Sequence, residues 1–145
     1  MVCLGNICRS PTAEAIFRHH FPHLTFDSAG TAGYHIGERS DHRSIDHAED
    51  RGYSMTHLAR QLSPKDFENF DLILVMDRSN YLNAVKVAPN AELSKKVQMI
   101  TDHLDQMKAS EIPDPYYGDA TLFEHVVDLL EDCARGWKKV LPQPK

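Results

Sequence analysis

An α/β architecture of the doubly wound kind, with a mostly parallel four-stranded sheet and helices on both faces, is predicted by three features of the sequence. Strand-like and helix-like periodicities alternate along the whole chain. Leu72-Ile73-Leu74-Val75-Met76 is an unbroken apolar run, the pattern of a parallel strand covered on both sides. No internal repeat, low-complexity tract or Gly/Ser linker divides the 145 residues, so a single domain over 1–145 is expected. In such folds ligands bind at the carboxyl ends of the strands, and a loop leading into a first helix is the favoured anion site.

In chain order, Ser10-Pro11 reads as an N-cap followed by proline at the first helical position. Ala13, Ile16, Phe17 and Phe21 then recur at helical spacing, predicting a helix over about residues 11–21. Leu24 to Ala29 predicts a short strand ending at Gly30, and the stretch with Thr31, Gly33, Tyr34 and Gly37 predicts a long loop of the sort that often carries function. Asp41 to Arg51 predicts a helix stopped by Gly52, and Ser63-Pro64-Lys65-Asp66 opens a further short helix with cap, proline and early acid. After the strand at Leu72–Met76 come a helix over Arg78 to Val87 and a last strand over Val97 to Ile100. Leu122, Val126, Leu129, Leu130, Cys133, Trp137 and Val140 form the apolar stripe of a terminal helix.

Hydrophobic residues make up 41% and charged residues 26%, enough for a buried core and against a disordered chain. With 21 acidic against 16 basic side chains the net charge is -5, which argues against a nucleic-acid binder that works by bulk phosphate neutralisation. A local anion pocket is compatible with that charge. No apolar stretch approaches the roughly 20 residues that span a bilayer, so no membrane contact is expected. Met1 to Asn6 lacks the basic and apolar regions of a signal peptide, and a cytoplasmic protein is expected. Cys3, Cys8 and Cys133 are too few for a disulfide framework in a chain this long, which directs the reading to thiol chemistry.

Cys3-Leu4-Gly5-Asn6-Ile7-Cys8-Arg9-Ser10 sets a thiol and a guanidinium towards the two ends of one loop, with a helix start behind it. Leu4, Gly5, Asn6, Ile7 and Cys8 can curl so that backbone N–H groups point inward as an anion nest, and Gly5 and Asn6 tolerate left-handed conformations. Arg9 can clamp two phosphate oxygens, and the helix dipole adds positive charge at the same spot. Cys3 then faces a field that favours thiolate over thiol, which supplies a nucleophile. Ser10 can support that sulfur as a leaving group with a hydroxyl hydrogen bond. A lone cysteine at a strand end or a lone arginine at a helix start would carry no such reading; the whole register does, and phosphate or a similar oxyanion is the ligand it suits.

The run Val2 to Pro11 resembles the phosphate-binding loop of the low-molecular-weight protein tyrosine phosphatases, whose general pattern is Cys, five residues, Arg, Ser/Thr. Asp27-Ser28-Ala29-Gly30-Thr31, His57-Leu58-Ala59-Arg60-Gln61, Val75-Met76-Asp77-Arg78-Ser79-Asn80 and Ile112-Pro113-Asp114-Pro115-Tyr116-Tyr117 resemble further signatures of that family in the same order. The resemblance implies a flavodoxin-like strand order 2-1-3-4. It also implies a metal-independent hydrolase of phosphotyrosine and small aryl phosphates that works through a cysteinyl-phosphate intermediate, with no cofactor. Phosphotyrosine proteins would be its substrates, and a tyrosine kinase a candidate partner.

Expelling a tyrosine phenolate in line requires a proton donor opposite the nucleophile. Asp114, held between Pro113 and Pro115, resembles the family's general acid, protonating the leaving group and then activating water as a base. Tyr116 and Tyr117, with Tyr34 from the long loop, would wall a slot deep enough for a phosphotyrosine ring. His57 resembles the family histidine that hydrogen-bonds the loop serine, here Ser10, with Asn6 in the same network. Asp77 matches a family aspartate, although helix capping is sufficient to explain it. Cys8 is a candidate redox residue, placed to capture a sulfenic acid formed on Cys3. His19, His20 and His23 lack metal-ligand spacing, and no metal is expected.

An arsenate reductase on the same fold is the nearest rival, but it needs further downstream cysteines and only Cys133 is available, on a stripe that indicates burial. A protein arginine phosphatase resembles the loop but carries threonine where Ile7 stands. A phosphate-binding module without turnover would keep the nest and dispense with Asp114. One departure from the family remains: only Met1 and Val2 precede Cys3, short of the five or six residues of an ordinary strand. Either the natural chain starts earlier or the centre of the sheet is unusually short.

Overall fold

A computed structural model describes Met1–Lys145. Strands β1 (Val2–Cys3), β2 (Ala29–Gly30), β3 (Ile73–Val75) and β4 (Val97–Met99) form one all-parallel sheet in the order β2-β1-β3-β4. The helices are α1 (Arg9–His20), α2 (His42–Glu49), α3 (Pro64–Asn69), α4 (Arg78–Val87), α5 (Ala91–Ser94) and α6 (Ala120–Trp137). Leu74 and Met76 enter a core of 21 buried residues shared with α1, α2 and α6, whereas Ile73 and Val75 join a core of eight that includes Phe67 of α3 and Ala84 of α4. Period-two alternation with both faces covered therefore explains why this strand is apolar throughout. No helix is long and apolar enough to cross a membrane.

Several boundaries differ from expectation for physical reasons. Helix α1 starts at Arg9, so Ser10 is a helical residue and Cys8 occupies the cap position with no side-chain cap bond. The serine hydroxyl is engaged by the loop instead, and Pro11 is tolerated in the first turn, where its missing N–H has no helical acceptor. Of the strand expected over Leu24–Ala29, only its end is ladder, because β1 offers just Val2 and Cys3 to pair with Ala29 and Gly30. Val140 lies beyond α6 and is half exposed, outside the buried stripe. Helix α5, capped by Asn90, was not foreseen in a segment with no apolar period. Asp41 caps α2, and Gly52 just beyond it adopts φ +89, a conformation glycine takes without steric cost.

Short as it is, β1 lies at the centre of the sheet: Val2 pairs with both Ala29 and Val75. The pairing runs on into the loop, where Thr31 N–H donates to Cys3 O at 2.9 Å and Ala32 N–H to Leu4 O at 3.0 Å. Gly30 permits this close approach, since a Cβ there would lie 2.7 Å from Leu4 O. Upstream, the Met1 ammonium donates to Asp27 O at 3.0 Å, and burial lowers it to about 6. A cleft of about 560 Å³ opens beside it between Leu24–Ser28 and Phe70–Leu72, at the end of the sheet away from the loop.

Candidate active site

Residues Cys3–Arg9 connect the end of β1 to the start of α1, and a single left-handed residue turns the chain: Asn6 at φ 59. Gly5, expected to share that role, does not take a positive φ; the space above its Cα is filled by His35. Asparagine suits the turn because its side chain is fully committed. Its Nδ2 donates to Ser10 Oγ at 2.8 Å and to Ser28 Oγ at 3.0 Å, and its Oδ1 accepts from His57 Nε2 at 2.7 Å and from Arg60 N–H at 3.0 Å. Ser28 donates to Glu14 Oε1 at 2.8 Å, and Ser10, whose oxygen accepts from Asn6, has its one proton free to donate to a Cys3 thiolate across the 3.0 Å between Oγ and Sγ. Asn6 N–H also points at Cys3 Sγ, 3.3 Å away. The sulfur thus sits between the Ser10 hydroxyl and the Asn6 N–H.

His57 was expected to bond Ser10; it bonds Asn6, which relays to Ser10. Burial pulls the imidazole below its ordinary value against the opposing charges of Glu14 and Asp27, 3.2 and 3.4 Å from Nδ1. The neutral ring with its proton on Nε2 is sufficient to hold Asn6. Glu14, Asp27 and His57 bring ligand-type atoms within 4.8 Å of one another, but the carboxylates already accept from Ser28, Arg18 and Arg60. Their arrangement supports the loop.

Arg9 is 3% exposed, and its Nη1 donates to Asp77 Oδ2 at 2.7 Å and to Ile112 O at 3.0 Å. Asp77 does more than cap: Oδ1 accepts from Asn80 N–H at 2.7 Å at the start of α4 while Oδ2 holds the guanidinium. Burial works against the charge on Arg9, yet Cys3, Asp77 and Asp114 outweigh it and hold the group above its ordinary value. Nη2 lies 3.6 Å from Asp114 Oδ2, so the turn that carries Asp114 meets the loop between β1 and α1 here. Cys3, Leu4, Gly5, Ile7, Cys8, Arg9, Tyr34, Asp114, Tyr116 and Tyr117 all line one pocket of about 280 Å³. Asn6, Ser10 and His57 lie behind its floor.

A sequence profile of the low molecular weight phosphotyrosine protein phosphatases matches residues 1–144. The chain belongs to that family. It is therefore a protein-tyrosine-phosphatase, a hydrolase acting on phosphate monoesters. A Synechocystis sp. protein provisionally described as a low molecular weight protein-tyrosine-phosphatase is 47% identical over 138 residues, 91% of this chain and 88% of its own. Among solved structures, a protein tyrosine phosphatase of Entamoeba histolytica with Hepes in its active site superposes with a TM-score of 0.91 at 39% identity, covering 95% of this chain and 92% of that one. Wzb of Vibrio vulnificus, in complex with benzylphosphonate, gives 0.87 at 33% identity over 97% and 95%.

Not every residue of this candidate site was foreseen. His35 lines the pocket against Gly5, with Nδ1 2.7 Å from Glu38 Oε2. Glu14, Asp27 and Arg60 hold the loop from behind, and Asp77 holds Arg9. A buried helical glutamate is a signal that sequence offers only in hindsight: Glu14 lies within Arg9–Phe17, a stretch of α1 that is buried all the way round. Cys133 is wholly buried on α6 and, unlike Cys8, does not line the pocket that holds Cys3, which fits poorly with the relay an arsenate reductase needs.

Proposed function

We propose that residues 1–145 act as one cytoplasmic phosphatase domain that hydrolyses phosphotyrosine proteins and small aryl phosphates through a cysteinyl-phosphate on Cys3, without a metal. Cys3 Sγ attacks phosphorus while the P–O bond to the phenol breaks, and Asp114 gives its proton to the departing oxygen. Water then attacks phosphorus, losing a proton to Asp114 as the S–P bond breaks and inorganic phosphate forms, and Ser10 hydrogen-bonds the departing Cys3 thiolate. Arg9 and the loop N–H groups hold the equatorial oxygens throughout. The observation that carries this reading is the convergence of Cys3, Arg9 and Asp114 on one aromatic-walled pocket, with the Ser10 hydroxyl oxygen 3.0 Å from the sulfur. Rapid quenching of the enzyme turning over an aryl phosphate should yield phosphate covalently bound to Cys3, with rates indifferent to EDTA. Label on another residue, or none despite burst kinetics, would sink it.

Cys8 supports a second reading, reversible oxidation, because it lines the same pocket as Cys3. Burial pushes its thiol up to about 12. Its thiolate fraction therefore rises about tenfold per pH unit across the neutral range, and capture of a Cys3 sulfenic acid should accelerate accordingly. Mass spectrometry of the Cys3–Cys8 linked peptide after peroxide, at pH 6 to 9, reads this directly; a rate that does not rise with pH would contradict it.

A further inference from the structure

We propose that Arg43 is a positioning residue for the acid loop, tying Asp114 to the phosphate loop through the backbone of Tyr116. The proposal rests on the reading of Asp114 as general acid. Asp114 itself is half exposed, and the one hydrogen bond its carboxyl makes is to Tyr116 N–H at 3.1 Å. Its direction is therefore set by how the backbone around it is anchored. On the entry side, Ile112 N–H donates to Met76 O at 2.8 Å and Ile112 O accepts from Arg9. On the exit side the anchor is Arg43 of α2, whose Nη2 donates to Tyr116 O at 3.0 Å.

Arg43 is itself fixed. Its Nε and Nη2 donate to Asp41 Oδ1 and Oδ2 at 3.0 and 2.9 Å, and its guanidinium carbon lies 4.6 Å from the centre of the Phe123 ring and 5.6 Å from that of Tyr116. Asp41 N–H donates in turn to Ile7 O of the phosphate loop at 2.8 Å. A continuous path of bonds thus runs Ile7, Asp41, Arg43, Tyr116, Asp114, a tie between the two loops separate from the Arg9 contacts. A planar fork serves the carboxylate along one edge and the carbonyl from the same nitrogen while stacking on rings; an ammonium has no such edge. Proton transfer is sensitive to this placement, since a displacement of about 1 Å is enough to cost on the order of 10²-fold in rate.

Arg43→Met, Arg43→Lys, Asp114→Asn and the double variant R43M/D114N would be compared on aryl phosphates whose phenols span a range of acidity, with inorganic phosphate as a competitive inhibitor. Arg43→Met should lower kcat by about 10- to 100-fold for weakly acidic phenols, including phosphotyrosine, and by less than about threefold for the most acidic ones. Inhibition by phosphate should be unchanged, Arg43→Lys should recover part of the loss, and the double variant should be no slower than Asp114→Asn. A loss equal across all leaving groups, or one that multiplies with that of Asp114→Asn, would overturn the proposal. If Asp114→Asn alone shows no dependence on the leaving group, the acid reading falls and the proposal with it. Should Arg43→Met fail to fold, Asp41→Asn reads the same tie and should show the same leaving-group pattern.

Discussion

Between Cys3 and Ser10 the working side chains are buried and mutually saturated, with Asn6 alone making four hydrogen bonds and Ser10 fully enclosed, whereas between Pro113 and Gly118 they stand in the open. Tyr117 is 97% exposed and the Asp114 side chain 46%. The difference fits the two tasks that the proposed mechanism gives these segments. A phosphoryl group changes little in shape during transfer, so its cradle gains from rigidity paid in advance by folding. The acid must admit a substrate ring and release a phenol, so its loop is held by backbone anchors at its ends and left bare between them.

Variants at both loops break or sharpen that contrast, and the largest effect belongs to the buried one. Cys3→Ser should reduce turnover to background while the protein still binds inorganic phosphate, because the nest and Arg9 remain and a serine hydroxyl stays un-ionised near neutral pH. Calorimetric titration with phosphate beside an activity assay checks both halves, and turnover free of wild-type contamination would refute the assignment. Asp114→Asn should slow phosphotyrosine hydrolysis by about 10²–10⁴-fold with little change in unfolding free energy, since the residue is exposed. Comparable loss of stability would mean that the acid loop is as structural as the phosphate loop.

Asn6→Ala should reverse that pattern. Alanine in the left-handed region costs about 1–2 kcal/mol, and the buried groups of Ser10, Ser28 and Arg60 left without a partner add about 1–3 kcal/mol. Urea unfolding should register the sum together with slower turnover; a change under about 0.5 kcal/mol, typical of surface sites, would show that the loop does not depend on its asparagine. Tyr117→Ala is expected to have the smallest effect: stability within about 0.5 kcal/mol of wild type and a modest rise in KM, with kcat retained. A fall in kcat matching that of Asp114→Asn would place Tyr117 in the chemistry.

The loop between β1 and α1 was legible as a candidate phosphate loop because its features are local: proposed nucleophile, left-handed turn, proposed clamp and helix start lie within eight residues, and the turn at Asn6 is where the sequence set it. Asp114 was singled out by resemblance alone, since Pro113-Asp114-Pro115 without context is only a turn, and the structure brings it to the pocket that Cys3 and Arg9 line. Strand existence followed from apolar runs, but β2 was overestimated because ladder length depends on the partner strand as well as on the segment itself.

By itself the sequence determined the alternating α/β order, the parallel sheet covered on both faces and the loop between β1 and α1 with its turn at Asn6, because periodicity and backbone conformation are properties of neighbours along the chain. Tertiary structure alone decided that Asp77 grips Arg9, that Glu14 and Ser28 stand behind Asn6, that His57 reaches Ser10 through an intermediary, and that Arg43 meets Tyr116. Those pairs lie 14 to 73 residues apart along the chain. Each is a polar contact whose geometry exists only after the apolar faces of the helices have packed on the sheet, and no pattern of nearby residues encodes it.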